Sequence, residues 1–173
     1  MKLQQPAWPR LFPASAILGI ATLGPIGRRL PAPGTWGSAV GLAYFAAVFP
    51  GLGFAGSLLL IAAGAWLAVG ICGEAEVRLG SKDPSEVIFD EVVAIPLCFL
   101  GWPGLLHPLP FWGVCLVGFA LFRYFDIYKP LLINNLQNLP GGWGVVADDI
   151  AAALATCAVM HLAKWGWVAA HAN

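Results

Sequence analysis

Charge is what this sequence has least of. Acidic and basic residues together make up 10% of its 173 residues, nine of each sign, against roughly 25% in an average soluble domain. So few charges cannot cover the surface of a soluble protein of this size, and a bilayer is the natural solvent for the rest. The formal net charge of zero leaves no basic field to attract nucleic acid. Histidine is scarce too: His107, His161 and His171 are the three, and none sits among the acidic residues. A histidine-based hydrolase is therefore disfavoured, despite Ser38 and Ser81. The four cysteines, Cys72, Cys98, Cys115 and Cys157, each stand alone in an apolar run. They have neither metal-ligand spacing nor the pattern of a disulfide framework, and read as small core hydrophobes. There is no internal repeat, low-complexity linker or long charge run, so residues 1–173 read as one domain.

What is abundant is apolar: hydrophobic residues make up 59% of the chain. Five stretches stand out, 38–49, 54–72, 92–101, 109–122 and 150–170. The second and fifth approach the ~20 residues that span hydrocarbon; helices can extend the others into their polar flanks. Residues 11–27 follow Lys2 and Arg10 as a signal peptide would, but Pro13 and Pro25 interrupt them and no small-residue cleavage site ends them. They are expected to belong to the mature protein as a re-entrant segment. The expectation is an all-α, polytopic membrane bundle with short, partly re-entrant helices.

Local signals place the ends. Asp83-Pro84-Ser85-Glu86 predicts an N-cap, a first-turn proline and a capping-box partner, hence a helix over 84–100 kinked at Pro96. The 109–128 helix should stop near Lys129, ahead of Pro130. A last helix should begin near Gly144, with Asp148 and Asp149 in its first turn or so, where carboxylates suit the helix dipole. Threading these through a bilayer puts the segments 28–37, 73–91 and 123–149 on one side. Arg28, Arg29, Arg78, Lys82, Arg123 and Lys129 lie there and Lys164 lies toward the other, so that side is predicted cytoplasmic. Trp102, Trp112, Trp165 and Trp167 suggest an aromatic belt at the far interface.

All nine acidic residues lie between Glu74 and Asp149. Two adjacent pairs, Asp90-Glu91 and Asp148-Asp149, enter apolar helices, where a carboxylate is costly unless it pairs or binds a cation. Mg²⁺ prefers oxygen ligands and typically takes one or two carboxylates plus substrate phosphates. Arg123, Asp126 and Lys129 share roughly one helix face, and the two cations there could receive a phosphate. Together these residues describe a phosphoryl-transfer site. Plainer readings stand beside this one. Glu74 and Arg78 fit a solvated i,i+4 pair, Glu76 a solvated residue, Asp83 and Glu86 a mere cap, and Asp126 a partner for Arg123. Pro33-Gly34-Thr35-Trp36-Gly37-Ser38 could turn tightly and present backbone N–H groups and hydroxyls to an anion, or could be a helix entry with Ser38 as N-cap.

Four blocks then coincide in order: Pro33–Ser38; Asp83-Pro84 through Val87-Ile88-Phe89-Asp90-Glu91; Phe122-Arg123-Tyr124-Phe125-Asp126-Ile127-Tyr128-Lys129-Pro130; and Gly141-Gly142-Trp143-Gly144-Val145-Val146-Ala147-Asp148-Asp149. On these the chain resembles the phosphatidylglycerophosphatase A family over roughly residues 19–153. The resemblance implies an all-helical fold and Mg²⁺-dependent hydrolysis of phosphatidylglycerophosphate to phosphatidylglycerol and phosphate, at the bacterial inner membrane with the active site facing the cytoplasm. Departures are Asn134, where the family favours Arg, and Ala94 and Ala153, where Gly is common.

The expected metal ligands are Asp83, Asp90, Glu91, Asp148 and Asp149. Asp126 is expected to assist the catalytic acids Asp90, Glu91, Asp148 and Asp149. Arg123 and Lys129 are expected to bind phosphate, with Gly34 and Ser38 in the adjoining cradle. The nucleophile stays open among metal-activated water, an aspartate and Thr35, with water preferred. The partner is a phospholipid in the bilayer, and oligomeric state is open. Three rivals remain: a phosphatase for another lipid phosphate head group, a cation transporter or channel using the carboxylates, and a structural membrane subunit, which would not need paired acids.

Overall fold

A computed structural model describes residues 4–106, 109–130 and 133–171; His107 and the Asn134 side chain lie outside that description. The described chain is helical, and no strand occurs in it. Its α-helices are α1 (Ala14–Ala21), α2 (Pro25–Arg29), α3 (Pro33–Val48), α4 (Phe54–Leu79), α5 (Phe89–Cys98), α6 (Phe111–Tyr128), α7 (Ile133–Leu136) and α8 (Gly142–Ala170).

Three of these, α4, α6 and α8, are long and apolar enough to cross a membrane. Their outward faces carry exposed Leu59, Trp66, Leu116, Leu154 and Leu162, side chains that an aqueous surface would not favour in such number. The segment before them is broken as its prolines and glycines require. α1, at eight residues, rises only about 12 Å, and Leu23 and Gly24, both at positive φ, turn the chain into α2. Neither helix is long enough to cross a membrane by itself.

The expected 84–100 helix does not form. Asp83 has φ 47°, a left-handed backbone that an N-cap does not adopt, and residues 84–88 form a turn. The Ile88 N–H donates to Ala21 O at 2.9 Å, so this stretch is held against the end of α1. Helix α5 therefore starts at Phe89 and runs ten residues, about 15 Å, too short to cross. It is the innermost helix, packed against α3, α4 and α8, with Asp90 and every residue from Val92 to Cys98 buried.

Close packing of α3 on α5 explains the glycines of α3. A methyl group at Gly41 would lie 2.9 Å from Ile95 Cβ, and one at Gly37 would lie 2.6 Å from Glu91 Oε2. Both glycines sit inside the helix and let a neighbour approach, so Gly37 does not form the expected turn. Helix α3 begins at Pro33, so Ser38 lies in its second turn and is not an N-cap.

At the other ends the sequence expectations hold. Lys129 caps α6 with φ 43°. Helix α8 starts at Gly142, two residues before the expected Gly144, which moves Asp148 and Asp149 into its second turn, where the dipole counts for less. Far from the acids, Trp112, Trp165 and Trp167 are exposed as a belt would be. Trp102 differs: its ring packs edge-on to Phe111 at 5.4 Å, within the aromatic cluster around Phe45.

Candidate active site

The starts of α3, α5 and α8 and the end of α6 meet around one polar cavity of about 320 Å³. Its wall includes Gly34, Asp83, Asp90, Glu91, Arg123, Asp126, Lys129, Asp148 and Asp149, so most of the residues singled out in the sequence converge there. Six carboxylates face two basic side chains. Asp90, Asp148 and Asp149 are each about 95% buried, a placement that carboxylates tolerate only with compensation.

The two cations are engaged by acids. Arg123 Nη1 donates to Asp126 Oδ2 at 2.8 Å, to the Ser38 hydroxyl at 3.2 Å and to Glu91 Oε1 at 3.3 Å. The plainer reading of Asp126 as an Arg123 partner is thus correct, yet the pair also faces the cavity. Ser38 is fully buried behind the site, where its hydroxyl lies within hydrogen-bond reach of Gly34 O and Glu91 Oε2. It touches Glu91 and Arg123 without lining the cavity. Gly34 does line it, and a methyl there would overlap Glu91 Oε1. Thr35 is exposed and is not part of the wall.

Lys129 extends its ammonium onto Asp148 Oδ2. Partial burial disfavours the charged amine, but the hydrogen bond and charge of Asp148, with Asp126 and Asp83 nearby, raise its pKa above the ordinary lysine value. It remains a cation. Asp83 is pushed the other way for an acid: burial, then the charge of Asp148, raise its carboxyl above the usual range despite Lys129. Three of the cavity's residues, Ala32, Asp83 and Lys129, hold a left-handed backbone, each at a cost of order 1–3 kcal/mol.

Gln137 escaped the sequence reading. Its amide donates to Asp148 Oδ2 at 3.0 Å and to Asp83 Oδ2 at 3.4 Å. Nothing in its local sequence marks it; only the folding of the segment after α6 over the cavity brings it there. Two acids behave differently from expectation. Glu74 does pair with Arg78, at 2.9 Å, but it is buried, not solvated. Its partner also reaches Phe12 O at 2.9 Å and so pins the N-terminal segment. Glu76 is likewise buried, and its carboxylate accepts the Asp83 N–H at 2.7 Å, which fixes the turn that carries Asp83.

A divalent cation suits this donor set. Asp148 Oδ1 is buried without a hydrogen-bond partner, and among the described residues neither Asp90 nor Asp149 forms an ion pair. No group of three potential ligand side chains among the described residues is already closed to metal spacing. A magnesium ion does not require one, since it usually keeps several waters and takes only one or two carboxylates with substrate phosphates.

The fold and cavity define a class: a helical membrane protein with a polar site, rich in acids and holding two cations, sunk at one end of its bundle. The family profile described as phosphatidylglycerophosphatase A matches residues 19–164. A phosphatidylglycerophosphatase A of Haemophilus influenzae is 33% identical over 137 residues, 78% of this chain and 81% of that relative. One from Escherichia coli is 26% identical over 111 residues, 63% of this chain and 61% of that relative. A Bacteroides thetaiotaomicron protein, named as a candidate phosphatidylinositol-3-phosphatase, is 38% identical over 84 residues, 49% of this chain and 51% of its own length. No solved structure matches.

The chain belongs to the phosphatidylglycerophosphatase A family. It is an enzyme, a membrane-embedded lipid phosphatase.

Proposed function

We propose that the enzyme hydrolyses phosphatidylglycerophosphate to phosphatidylglycerol and inorganic phosphate, with Mg²⁺ held by the cavity's carboxylates. The observation that carries this reading is the pairing of opposites in one small space. Buried, incompletely compensated acids call for a metal, and Arg123 and Lys129 beside them can turn to a phosphate. Water adds to phosphorus, the bond from phosphorus to the glycerol oxygen breaks, and one proton of that water ends on the released glycerol hydroxyl. Asp90, Glu91, Asp148 and Asp149 would hold the ion, with Asp83 or Asp126 assisting; when bound it neutralises charge on the phosphoryl group. Arg123 and Lys129 orient the phosphate oxygens. Thr35, exposed and outside the cavity wall, gives little support to a threonine nucleophile.

The names of the Haemophilus influenzae and Escherichia coli relatives support this substrate. The bacterial inner membrane, with the site on the cytoplasmic side, is supported by the basic residues gathered near the cavity end. A cation channel is disfavoured, because the acids gather at one end and form no path across. A second reading keeps the chemistry and changes the head group. The Bacteroides thetaiotaomicron relative has the higher local identity and a different named lipid.

Phosphate release from purified protein decides between them, with phosphatidylglycerophosphate, phosphatidylinositol 3-phosphate and phosphatidic acid compared with and without EDTA. The proposal predicts strong preference for the first and loss of release on chelation, restored by Mg²⁺. Preference for the inositol lipid would establish the second reading, and release undiminished by EDTA would remove the metal.

A further inference from the structure

Beside the catalytic cavity lies a second, more open one of about 670 Å³. The two share Ala32, Pro33, Asp83 and Ser85 as a common wall. Its other sides are α2, which contributes Gly27 and Arg28, and the turn carrying Ser81, Pro84 and Glu86.

This vestibule is built, not incidental. A methyl group at Gly27 would overlap Glu86 O, so α2 lies directly on the turn. The Ile88 N–H bond to Ala21 O, at 2.9 Å, ties the residue after the turn to the end of α1, just ahead of α2. The shared wall holds Ala32 at φ 51° and Asp83 at φ 47°, a conformation that non-glycine residues rarely adopt and that accumulates where function requires it. Arg28 is exposed and lines the vestibule. Among the described residues its side chain has no hydrogen bond or ion pair, in contrast with Arg123 and Lys129.

We propose that this vestibule binds the part of the head group that the lipid keeps, and that Arg28 takes its phosphodiester anion. This rests on the reading of the enzyme as a phosphatase for phosphatidylglycerophosphate. That substrate carries two phosphates: the terminal monoester that is removed, and the diester that joins the glycerol to the acylated half. With the monoester between Arg123 and Lys129, the glycerol and diester must leave through a wall of the catalytic cavity. The shared wall borders a space whose free cation matches the diester. Glu86 and Ser85 in the same space can accept or exchange hydrogen bonds with the glycerol hydroxyl. Arg28 would then distinguish a phosphorylated polyol head group from a lipid with a lone monoester. Because the diester keeps its charge throughout the reaction, this contact binds ground state and transition state alike and acts on KM rather than kcat.

The test is steady-state phosphate release from phosphatidylglycerophosphate in micelles of uncharged detergent, by wild type, Arg28→Ala, Arg28→Lys and Arg29→Ala. Phosphatidic acid, which has no diester, is added as competitor. Arg28→Ala should raise KM about tenfold, the weight of one charge-assisted hydrogen bond. It should leave kcat and the inhibition constant of phosphatidic acid within about twofold. Arg28→Lys should recover part of the loss, and Arg29→Ala should match wild type. Unchanged KM in Arg28→Ala would overturn the proposal. So would an equal loss in Arg29→Ala or an equal weakening of phosphatidic acid, which would reduce Arg28 to general surface charge. If wild type released no phosphate from this lipid, the parent reading would fail instead, a result distinct from all of these.

Discussion

Arg123 of α6 and Glu91 of α5 are in contact, with Nη1 at 3.3 Å from Oε1, and the same nitrogen reaches Asp126 at 2.8 Å and the Ser38 hydroxyl of α3 at 3.2 Å. One guanidinium thus ties three helices together at the mouth of the cavity, while its buried Nε has no partner. A lysine has a single charged head and no planar fork, and cannot reproduce this arrangement. Arg123→Lys should lower kcat/KM by about 100-fold or more, as measured by phosphate release, with the protein still extracted from membranes as wild type is. Activity within tenfold of wild type would show that Arg123 only braces the helices.

Gly37 is a packing requirement of the site. A methyl group there would lie 2.6 Å from Glu91 Oε2 and 2.9 Å from Ile88 Cβ, both tighter than ordinary contact. Gly37→Ala should push the start of α5 away from α3 and displace Glu91. The expected result is a clear fall in kcat and a lower Tm in detergent, by several degrees. A variant with normal Tm and normal activity would mean that the two helices part without consequence.

Asp83 offers a test of sign. Its carboxyl is raised above the usual range, chiefly by burial, so the folded state resists its ionisation. Above the unfolded pKa the ionised group costs stability, and that cost fades as pH falls through the folded pKa. Asp83→Asn removes the charge and keeps a residue that tolerates φ 47°. In EDTA at neutral pH it should raise Tm by about 2–4 °C. With Mg²⁺ present the gain should vanish, because the variant gives up a negative charge beside the ion. A lower Tm in EDTA would contradict the account.

Gln137 bridges Asp148 and Asp83 from a segment with no recognisable signal. Gln137→Ala should weaken activity by about tenfold, the scale of one hydrogen bond to a charged group, and Gln137→Glu should weaken it further by adding an acid to an acid-rich cavity. The ratio of the two kcat/KM values is the measurement. Glutamate as good as glutamine would separate this residue from the carboxylates.

Much of this was legible in the chain. The acids and cations carry their own argument, since paired carboxylates entering apolar helices need a reason. The end of α6 at Lys129 followed from Pro130. The capping pattern of residues 83–86 misled, because a local signal lost to a tertiary one. Ile88 bonds to Ala21 and the turn packs on Gly27, so α5 begins five residues later than its cap signal implied. Gly34 and Gly37 were visible as glycines, but their purpose, a carboxylate lying on the helix backbone, depends on α5 being alongside. The burial of Glu74 depends on the N-terminal segment that its partner Arg78 pins, and the position of Gln137 on the turn after α6. No local pattern records either.

A divalent ion shared by acids from α5 and α8 is the centre of the proposed mechanism. Calorimetric titration of metal-stripped protein with Mg²⁺, wild type against Asp149→Asn, measures this without reference to turnover. The prediction is saturable binding to wild type and binding at least about tenfold weaker in the variant, whose membrane insertion and helical content stay unchanged. Equal affinity in the two proteins, or no binding to wild type, would contradict it.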